Sequence, residues 1–309
     1  MWLRRDIHGL EISLWHSGSS GWEGIMHYWR SLRPQQWIKN AFVWAGFLFA
    51  REWRDVALAA NVGAAFIAFC LLASAVYVGN DWIDRESDRI HPIKRDRPIA
   101  SGRLSGAAAA AMCLVLGAAA FALAAWVGPA LVGVLLGYVL LNAAYSLLLK
   151  RAVIVDVIAV ALGFLLRILA GTVGVGIAPS SWLLMCGLML TLLLGFGKRR
   201  AELSAVAPDA VRSVLADYSP ELLDRLITVC VSGTLIAYSL YTISQETIRL
   251  HGSANLVYTV PIVTYALFRY LYLLDQRHAA EDPARLMLSD RHLQISALAW
   301  LAAVIWIIG

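Results

Sequence analysis

Charged residues are scarce in this sequence. Asp, Glu, Lys and Arg make up 15% of the 309 residues, and 60% are hydrophobic, whereas an ordinary soluble domain carries about 25% charged residues. This composition excludes an ordinary soluble domain. Apolar runs rich in Ala, Leu and Val recur at intervals of roughly 25–35 residues, a pattern typical of a multi-pass helical membrane protein. The predicted fold class is therefore all-α and polytopic.

Cysteine is equally scarce, with four residues in the whole chain. All four fall within apolar runs, without CxxC spacing and without neighbouring histidines, which indicates small core residues rather than a zinc site or a disulfide framework. The first thirty residues lack the apolar run of a signal peptide. We predict a cytoplasmic or interfacial segment over 1–30 and a single transmembrane domain over 31–309.

Nine membrane-spanning helices are predicted, with boundaries loose by several residues. The second is longer than a bilayer requires, so we expect its end to project into water or the helix to tilt. The predicted ranges are 34–50, 56–84, 105–126, 129–149, 152–172, 180–197, 224–247, 254–275 and 292–309.

Basic residues are distributed asymmetrically over the predicted loops. If the N-terminus is cytoplasmic, 21 of the 26 Lys and Arg residues fall on the cytoplasmic side, as the positive-inside rule requires. We therefore predict that the N-terminus and the functional site are cytoplasmic. A nucleic-acid partner is not expected, because the basic residues are divided among membrane loops.

An acidic motif stands at the end of the second predicted span. Asp81, Asp84 and Asp88 are spaced three, four and seven residues apart, so a helix brings them to one face, and Asn80 lies four residues before Asp84 on the same side. Clustered carboxylates repel one another, and a bound Mg²⁺, which binds one or two carboxylates together with substrate phosphates, removes that cost. The alternative is a solvated helix end neutralised by neighbouring arginines.

A basic loop follows the acidic motif directly. His91, Lys94, Arg95 and Arg97 lie within a segment closed by a proline and a glycine. Cations beside a metal site are suited to a diphosphate, since they take up charge that develops on its oxygens. Alternatively, Lys94 and Arg95 serve only membrane topology. The sequence predicts one diphosphate site over Gly79–Gly102.

From Arg33 to the last span the chain resembles the UbiA superfamily of intramembrane transferases. The motif NDxxDxxxD is complete from Asn80 to Asp88, and the string YSLLLKR runs from Tyr145 to Arg151 and is followed by Asp156. The resemblance implies a bundle of about nine transmembrane helices with a cytoplasm-facing cavity. It also implies that Mg²⁺ bridges the Asp-rich motif to a pyrophosphate.

The chain departs from typical prenyltransferases of that superfamily after the sixth span. A second Asp-rich motif is expected there, but the sequence reads GFGKRRAELSAV, with Lys198, Arg199 and Arg200. Together with LRPQQWIKN and HPIKRDRPIASG, this string resembles a branch of decaprenyl-phosphate phosphoribosyltransferases. That resemblance implies transfer of 5-phosphoribose from phosphoribosyl pyrophosphate to a polyprenyl phosphate in a bacterial inner membrane.

The resemblance also assigns roles to residues. Asp81 and Asp84, with Asn80, are expected to be catalytic, and Asp81, Asp84 and Asp88 to bind the metal. A structural ion pair to another helix is the alternative for Asp156. The expected substrate-binding residues are Arg33, Gln36, Lys39, Lys94, Arg97, Tyr145, Lys150, Asp156, Lys198, Arg199 and Arg200.

Two other functions are weighed against this one. Prenyl transfer from a prenyl diphosphate to an aromatic acceptor needs two Asp-rich motifs, and this chain shows one. A transporter or lipid-binding protein predicts broken helices paired at the membrane midplane, whereas the ionisable residues here gather at one face. The Gly- and Ala-rich spans permit self-association into a homo-oligomer.

Overall fold

The computed structural model describes residues 19–92, 94–204, 213–276, 286 and 289–309. All regular structure in these residues is helical, and no strand occurs among them. The α-helices are α1 (Ser19–Leu32), α2 (Ala45–Ala50), α3 (Val56–Ile83), α4 (Arg85–Ile90), α5 (Gly106–Val127), α6 (Pro129–Leu147), α7 (Val155–Ala170), α8 (Ser181–Ser204), α9 (Pro220–Ile243), α10 (Gln245–His251), α11 (Val260–Gln276) and α12 (Arg291–Ile308).

Eight helices within the described residues are long and apolar enough to cross a membrane. They correspond to the second through ninth predicted spans, which confirms the all-α, multi-pass prediction. Helix α3 has 28 residues and is about 42 Å long at 1.5 Å per residue, longer than a hydrocarbon core of about 30 Å. The acidic motif begins in its last turn.

The first predicted span, 34–50, is not a regular α-helix. Residues Pro34–Trp44 form a 3₁₀-helix, and α2 continues from it without a gap. The segment carries Gln35, Gln36, Lys39 and Asn40, and with 17 residues it is shorter than the eight apolar spans, each of which has at least 18. Since a 3₁₀-helix rises about 2.0 Å per residue, the whole segment still extends about 30 Å.

Helix α9 begins four residues earlier than predicted. Its N-cap is Ser219, whose hydroxyl accepts a hydrogen bond from the Leu222 N–H, and Pro220 occupies the first helical position. Serine at the N-cap and proline at N1 are favoured at helix starts. The predicted boundary was placed at the apolar run and missed this local signal.

The described residues form two compact units. The first contains residues 19–38 and 71–118. In it, the Ser74 hydroxyl on α3 donates to the Leu32 carbonyl at 2.8 Å and accepts from the Trp37 indole at 3.1 Å. Val78, Ile99 and Leu104 are buried together. These contacts tie the chain after α1, and the loop after α4, to the end of α3.

The second unit contains residues 39–70 and 119–309. Its largest buried cluster joins α7, α8, α9 and α11 through side chains such as Val157, Leu193 and Ile227. Gly171, at the end of α7, packs against the Val43 carbonyl so closely that a Cβ atom would overlap it. Glycine at this position therefore allows two backbones to approach, as in close helix packing in membranes.

Candidate functional site

The acidic motif lies where α3 gives way to α4. Asp84 stands between the two helices, but its N–H still donates to the Asn80 carbonyl and its carbonyl accepts from the Asp88 N–H, each at 2.9 Å. The helical spacing therefore continues through the motif. Asp81 and Asp88 are buried, whereas Asp84 is exposed.

Two arginines of the first unit hold the buried carboxylates. Arg33 donates from Nη2 to both oxygens of Asp81, at 2.6 and 2.8 Å. Arg97 donates from Nη1 to Asp81 at 2.9 Å and to Asp88 at 2.7 Å. These four residues are called the Asp81 cluster. Charge-assisted hydrogen bonds of this length are strong ones, so the cluster is a compact arrangement of two anions and two cations.

Three further predicted residues of this unit lie near the cluster in sequence. Asn80 and Gln36 are half-buried, and Lys94 opens the short 3₁₀-helix Lys94–Asp96. The backbone N–H of Lys94 donates to His91 Nδ1 at 3.3 Å. The structure thus brings together Arg33, Asp81, Asp88 and Arg97 directly, while the substrate contacts predicted for the other residues stay predictions.

The Asp81 cluster offers the donor chemistry that Mg²⁺ requires. One guanidinium nitrogen of Arg97 lies within hydrogen-bond distance of both Asp81 and Asp88, so a cation already bridges the two carboxylates. Mg²⁺ binds hard oxygen ligands and commonly takes only one or two carboxylates besides substrate phosphates. Three or more acidic, histidine or cysteine side chains do not converge as a metal-ligand group in the part of the chain described. The residues therefore fit a metal shared with a phosphate ligand.

A second charged cluster lies in the second unit. Asp156, in the first turn of α7, accepts from Arg199 Nε at 2.7 Å and from the Tyr218 hydroxyl at 2.8 Å. Arg199, on α8, also donates to Glu202 at 2.6 Å. Asp156 is 0%, Arg199 3% and Tyr218 5% exposed. These four residues are called the Asp156 cluster, and it is the ion pair to another helix that was the alternative for Asp156.

The three cations of the GKRR string therefore have different surroundings. The buried guanidinium of Arg199 is held by two carboxylates of its own chain, and Arg200 pairs at 2.9 Å with the half-exposed carboxylate of Asp224. Lys198 is half-buried on α8. A pair like that of Arg200 is weak in water. Substrate binding by Arg199 stays a prediction, and the internal pairing does not favour it.

The other predicted residues of this unit are positioned by helices and turns. Tyr145 is half-buried on α6, and Lys150 is half-buried in the 3₁₀ turn Leu149–Arg151. Lys39 is half-buried in the 3₁₀-helix that precedes α2. Contact of these three residues with a substrate stays a prediction.

Sequence reasoning missed Tyr218. It lies 62 residues beyond Asp156 in the chain, outside any recognisable motif, and no local pattern links the two. Burial raises the pKa of Tyr218, and its hydrogen bond to Asp156 adds to this effect, so the hydroxyl remains a proton donor at physiological pH. Its oxygen also accepts from the Ile154 N–H at 2.6 Å.

Arg167 is a buried cation inside a membrane span. It donates to Asn40 at 2.7 Å, to the Gly163 carbonyl at 2.8 Å and to the Tyr138 hydroxyl at 3.1 Å. Its guanidinium lies 5.5 Å from the ring centre of Phe69. Hydrogen bonds and cation–π contacts offset the cost of burying the charge, so this residue fastens the segment before α2 to α6 and α7.

Comparisons with known proteins agree with this architecture. A profile of the UbiA prenyltransferase family matches residues 40–298. The decaprenyl-phosphate phosphoribosyltransferase of Mycolicibacterium smegmatis is 33% identical over 287 residues, which cover 89% of this chain and 90% of that protein. The protein of the same name from Mycobacterium tuberculosis is 35% identical over 281 residues, covering 89% and 92%.

A solved structure shares the fold. The UbiA homologue of Archaeoglobus fulgidus, determined with GPP and Mg²⁺ bound, superposes with a TM-score of 0.69 at 19% identity, covering 91% of this chain and 99% of that one. The matching family profile spans most of the sequence, and the two relatives extend over nearly all of it. The chain therefore belongs to the UbiA prenyltransferase family of membrane transferases.

Proposed function

We propose that this protein transfers 5-phosphoribose from phosphoribosyl pyrophosphate to a polyprenyl phosphate, in a Mg²⁺-dependent reaction that releases pyrophosphate. The relatives named for this activity on decaprenyl phosphate match about nine-tenths of this chain and of their own length. A shared short motif would identify only the superfamily, whereas a match of this extent supports a common reaction.

The observation that carries the proposal is the Asp81 cluster. Asp81 and Asp88 supply oxygen ligands, and Arg33 and Arg97 supply guanidinium groups at the same place. Guanidinium groups bind phosphate oxygens in bidentate fashion. When bound, Mg²⁺ would be held by Asp81 and Asp88, with the exposed Asp84 beside them, and would neutralise a pyrophosphate and make it a better leaving group.

The chain's own cations then act on the departing group. In the proposed reaction the bond between ribose C1 and the pyrophosphate oxygen breaks, and a bond between C1 and an acceptor phosphate oxygen forms. C1 develops oxocarbenium character, as in glycosyl transfer generally. Arg33 and Arg97 stabilise the negative charge that collects on pyrophosphate. The acceptor phosphate is already an anion, so a strong general base is not needed.

The basic residues of the second unit are proposed to bind phosphate groups of the substrates. Lys150, Lys198 and Arg200 are half-buried rather than fully buried, and so is Lys39 in the 3₁₀-helix Pro34–Trp44. A helix end that carries cations in place of a second Asp-rich motif, as the last two turns of α8 do, suits a phosphate bound without a second metal ion. This difference separates the proposed reaction from prenyl transfer.

The proposed setting is the plasma membrane of a bacterium, with the active site on the cytoplasmic side. The Lys and Arg bias of the loops supports this orientation, and the two phosphoribosyltransferase relatives come from bacteria. Phosphoribosyl pyrophosphate is highly charged and soluble, so a cytoplasmic site would meet its donor directly.

A transfer assay in membranes tests the proposal. Radiolabelled phosphoribosyl pyrophosphate and a polyprenyl phosphate are supplied, with or without Mg²⁺, to wild type, to Asp81→Asn and to the control Asp96→Asn. The Asp96 side chain is exposed in the short 3₁₀-helix after α4. We expect label in the lipid phase, lost without Mg²⁺ and reduced about 100-fold or more in Asp81→Asn. Transfer of a prenyl group from a prenyl diphosphate instead, or no transfer from either donor, would refute it.

A further inference from the structure

Ile154 adopts a backbone conformation that its side chain disfavours. Its φ is 69° and its ψ −44°, and a β-branched residue with positive φ is a genuine outlier. The values lie near the rare positive-φ γ-turn, which is strained. Such a conformation persists only when surrounding contacts hold it, so the residues that contact Ile154 explain how it is maintained.

Both backbone groups of Ile154 are held. Its carbonyl accepts from the Val157 and Ile158 N–H groups of α7, at 3.1 and 2.9 Å. Its N–H donates to the Tyr218 hydroxyl at 2.6 Å. A phenol has one proton, which Tyr218 gives to Asp156 at 2.8 Å, and this leaves a lone pair directed at Ile154.

Asp156 is itself immobilised from the opposite side. Arg199 on α8 donates to its other carboxylate oxygen at 2.7 Å and to Glu202 at 2.6 Å. Two buried, charge-assisted hydrogen bonds thus join Arg199 on α8 and Tyr218 to Asp156, and a third, part-buried bond joins Tyr218 to the turn at Ile154. Networks of this kind rigidify the structure around them when every member is satisfied.

The segment held in this way carries cations. The 3₁₀ turn Leu149–Arg151 ends three residues before Ile154, and Ala152 continues it in extended conformation. Lys150 and Arg151 are therefore attached by a short tether to a turn whose geometry depends on Tyr218. Misplacement of a binding group by about 1 Å can cost a large factor in rate.

We propose that Tyr218 is a positioning residue: with Asp156 and Arg199 it locks the Ile154 turn and thereby sets where Lys150 and Arg151 present their charge to a phosphate group of the substrate. The lock itself follows from the contacts, and its effect on the substrate rests on the proposed function. Asp156 and Arg199 accordingly act through the turn rather than by touching the substrate.

The test uses the full-length protein in detergent micelles. Four variants are compared with wild type: Tyr218→Phe, Ile154→Gly, the double variant of these two, and Tyr241→Phe. Tyr241 is a matched control because it is another buried tyrosine, whose hydroxyl lies 3.3 Å from His251. Hydrogen exchange of the peptide covering residues 149–156 reports the turn, and KM and kcat for phosphoribosyl pyrophosphate report the substrate.

Tyr218→Phe should speed exchange of the Ile154 amide about tenfold, because it loses a hydrogen bond backed by a carboxylate. We expect KM for the donor to rise about tenfold with kcat changed less than about twofold, and Tyr241→Phe to change neither. Glycine tolerates positive φ, so the double variant should recover at least half of the change in log KM. Ile154 is 36% exposed, so Ile154→Gly by itself should change KM and kcat little.

Unchanged exchange in Tyr218→Phe would overturn the lock. If Tyr218→Phe exchanges faster but has the same KM for the donor as Tyr241→Phe, the positioning role is overturned. The same follows if KM for the donor is as high in the double variant as in Tyr218→Phe. If wild type does not use phosphoribosyl pyrophosphate, the proposed function fails, while hydrogen exchange still decides whether Tyr218 locks the turn.

Discussion

The Asp81 cluster leads to a prediction about stability that is independent of activity. In Arg97→Gln, Asp88 loses the guanidinium that lies 2.7 Å away, and Asp81 loses one of the two arginines of the cluster and keeps Arg33. Removing one partner of a buried ion pair costs about 3–5 kcal/mol. The Arg97 side chain is 30% exposed, so water screens part of this loss, and we expect a cost of about 2 kcal/mol.

This loss is measurable as a fall in the unfolding midpoint. For 309 residues, an unfolding entropy of about 2.1 cal/mol/K per residue makes 1 kcal/mol correspond to about 1.5 °C, so Arg97→Gln should unfold about 3 °C lower. Four free cysteines, two of them buried and two half-buried, allow a thiol-reactive dye to report unfolding in detergent. Arg95→Gln removes the same charge from an exposed position of the same loop and serves as the control.

Mg²⁺ should stabilise Arg97→Gln more than it stabilises wild type. A ligand that binds only the folded state stabilises it by RT ln(1 + [L]/Kd), and in wild type Mg²⁺ competes with Arg97 for the two carboxylates. The midpoint of Arg97→Gln should therefore rise more with added Mg²⁺ than that of wild type or Arg95→Gln. Equal midpoints for the two glutamine variants, or equal shifts with Mg²⁺ in all three proteins, would refute this account of the cluster.

Two further predictions concern other buried charges. Arg167→Lys keeps the charge but cannot reproduce the bonds to Asn40, Gly163 and Tyr138, so we expect a loss of about 2–3 kcal/mol, and a midpoint equal to wild type would contradict it. The hydrogen bond from Arg269 holds the pKa of Asp290 at about 2, below its ordinary 3.8. Because the folded-state pKa is the lower one, this stabilisation is complete above pH ~4 and is lost as the pH falls towards 2. The difference in midpoint between wild type and Asp290→Asn should therefore shrink over that range, and a constant difference would be the contrary result.

Patterns local in the chain were predictable from the sequence. Hydrophobic runs specify helices that can cross a bilayer, and eight of the nine predicted spans are such helices. The acidic motif was also local, because residues three, four and seven apart meet on any helix. The exception was the first span, where polar side chains such as Gln36 and Lys39 interrupt the apolar pattern and a 3₁₀-helix replaces the predicted α-helix.

The sequence by itself thus determined the membrane class, the family resemblance and the residues of the acidic motif, since each depends on composition or on short strings of neighbouring residues. Only the tertiary structure decided which charges pair: Arg33 with Asp81 across 48 positions, Arg199 with Asp156 across 43, and Tyr218 with Asp156 across 62. In a chain that buries charge, each ion must find a counter-charge or a hydrogen-bond partner. Which partner it finds depends on which helices pack against each other, and the local sequence of a single helix does not specify this.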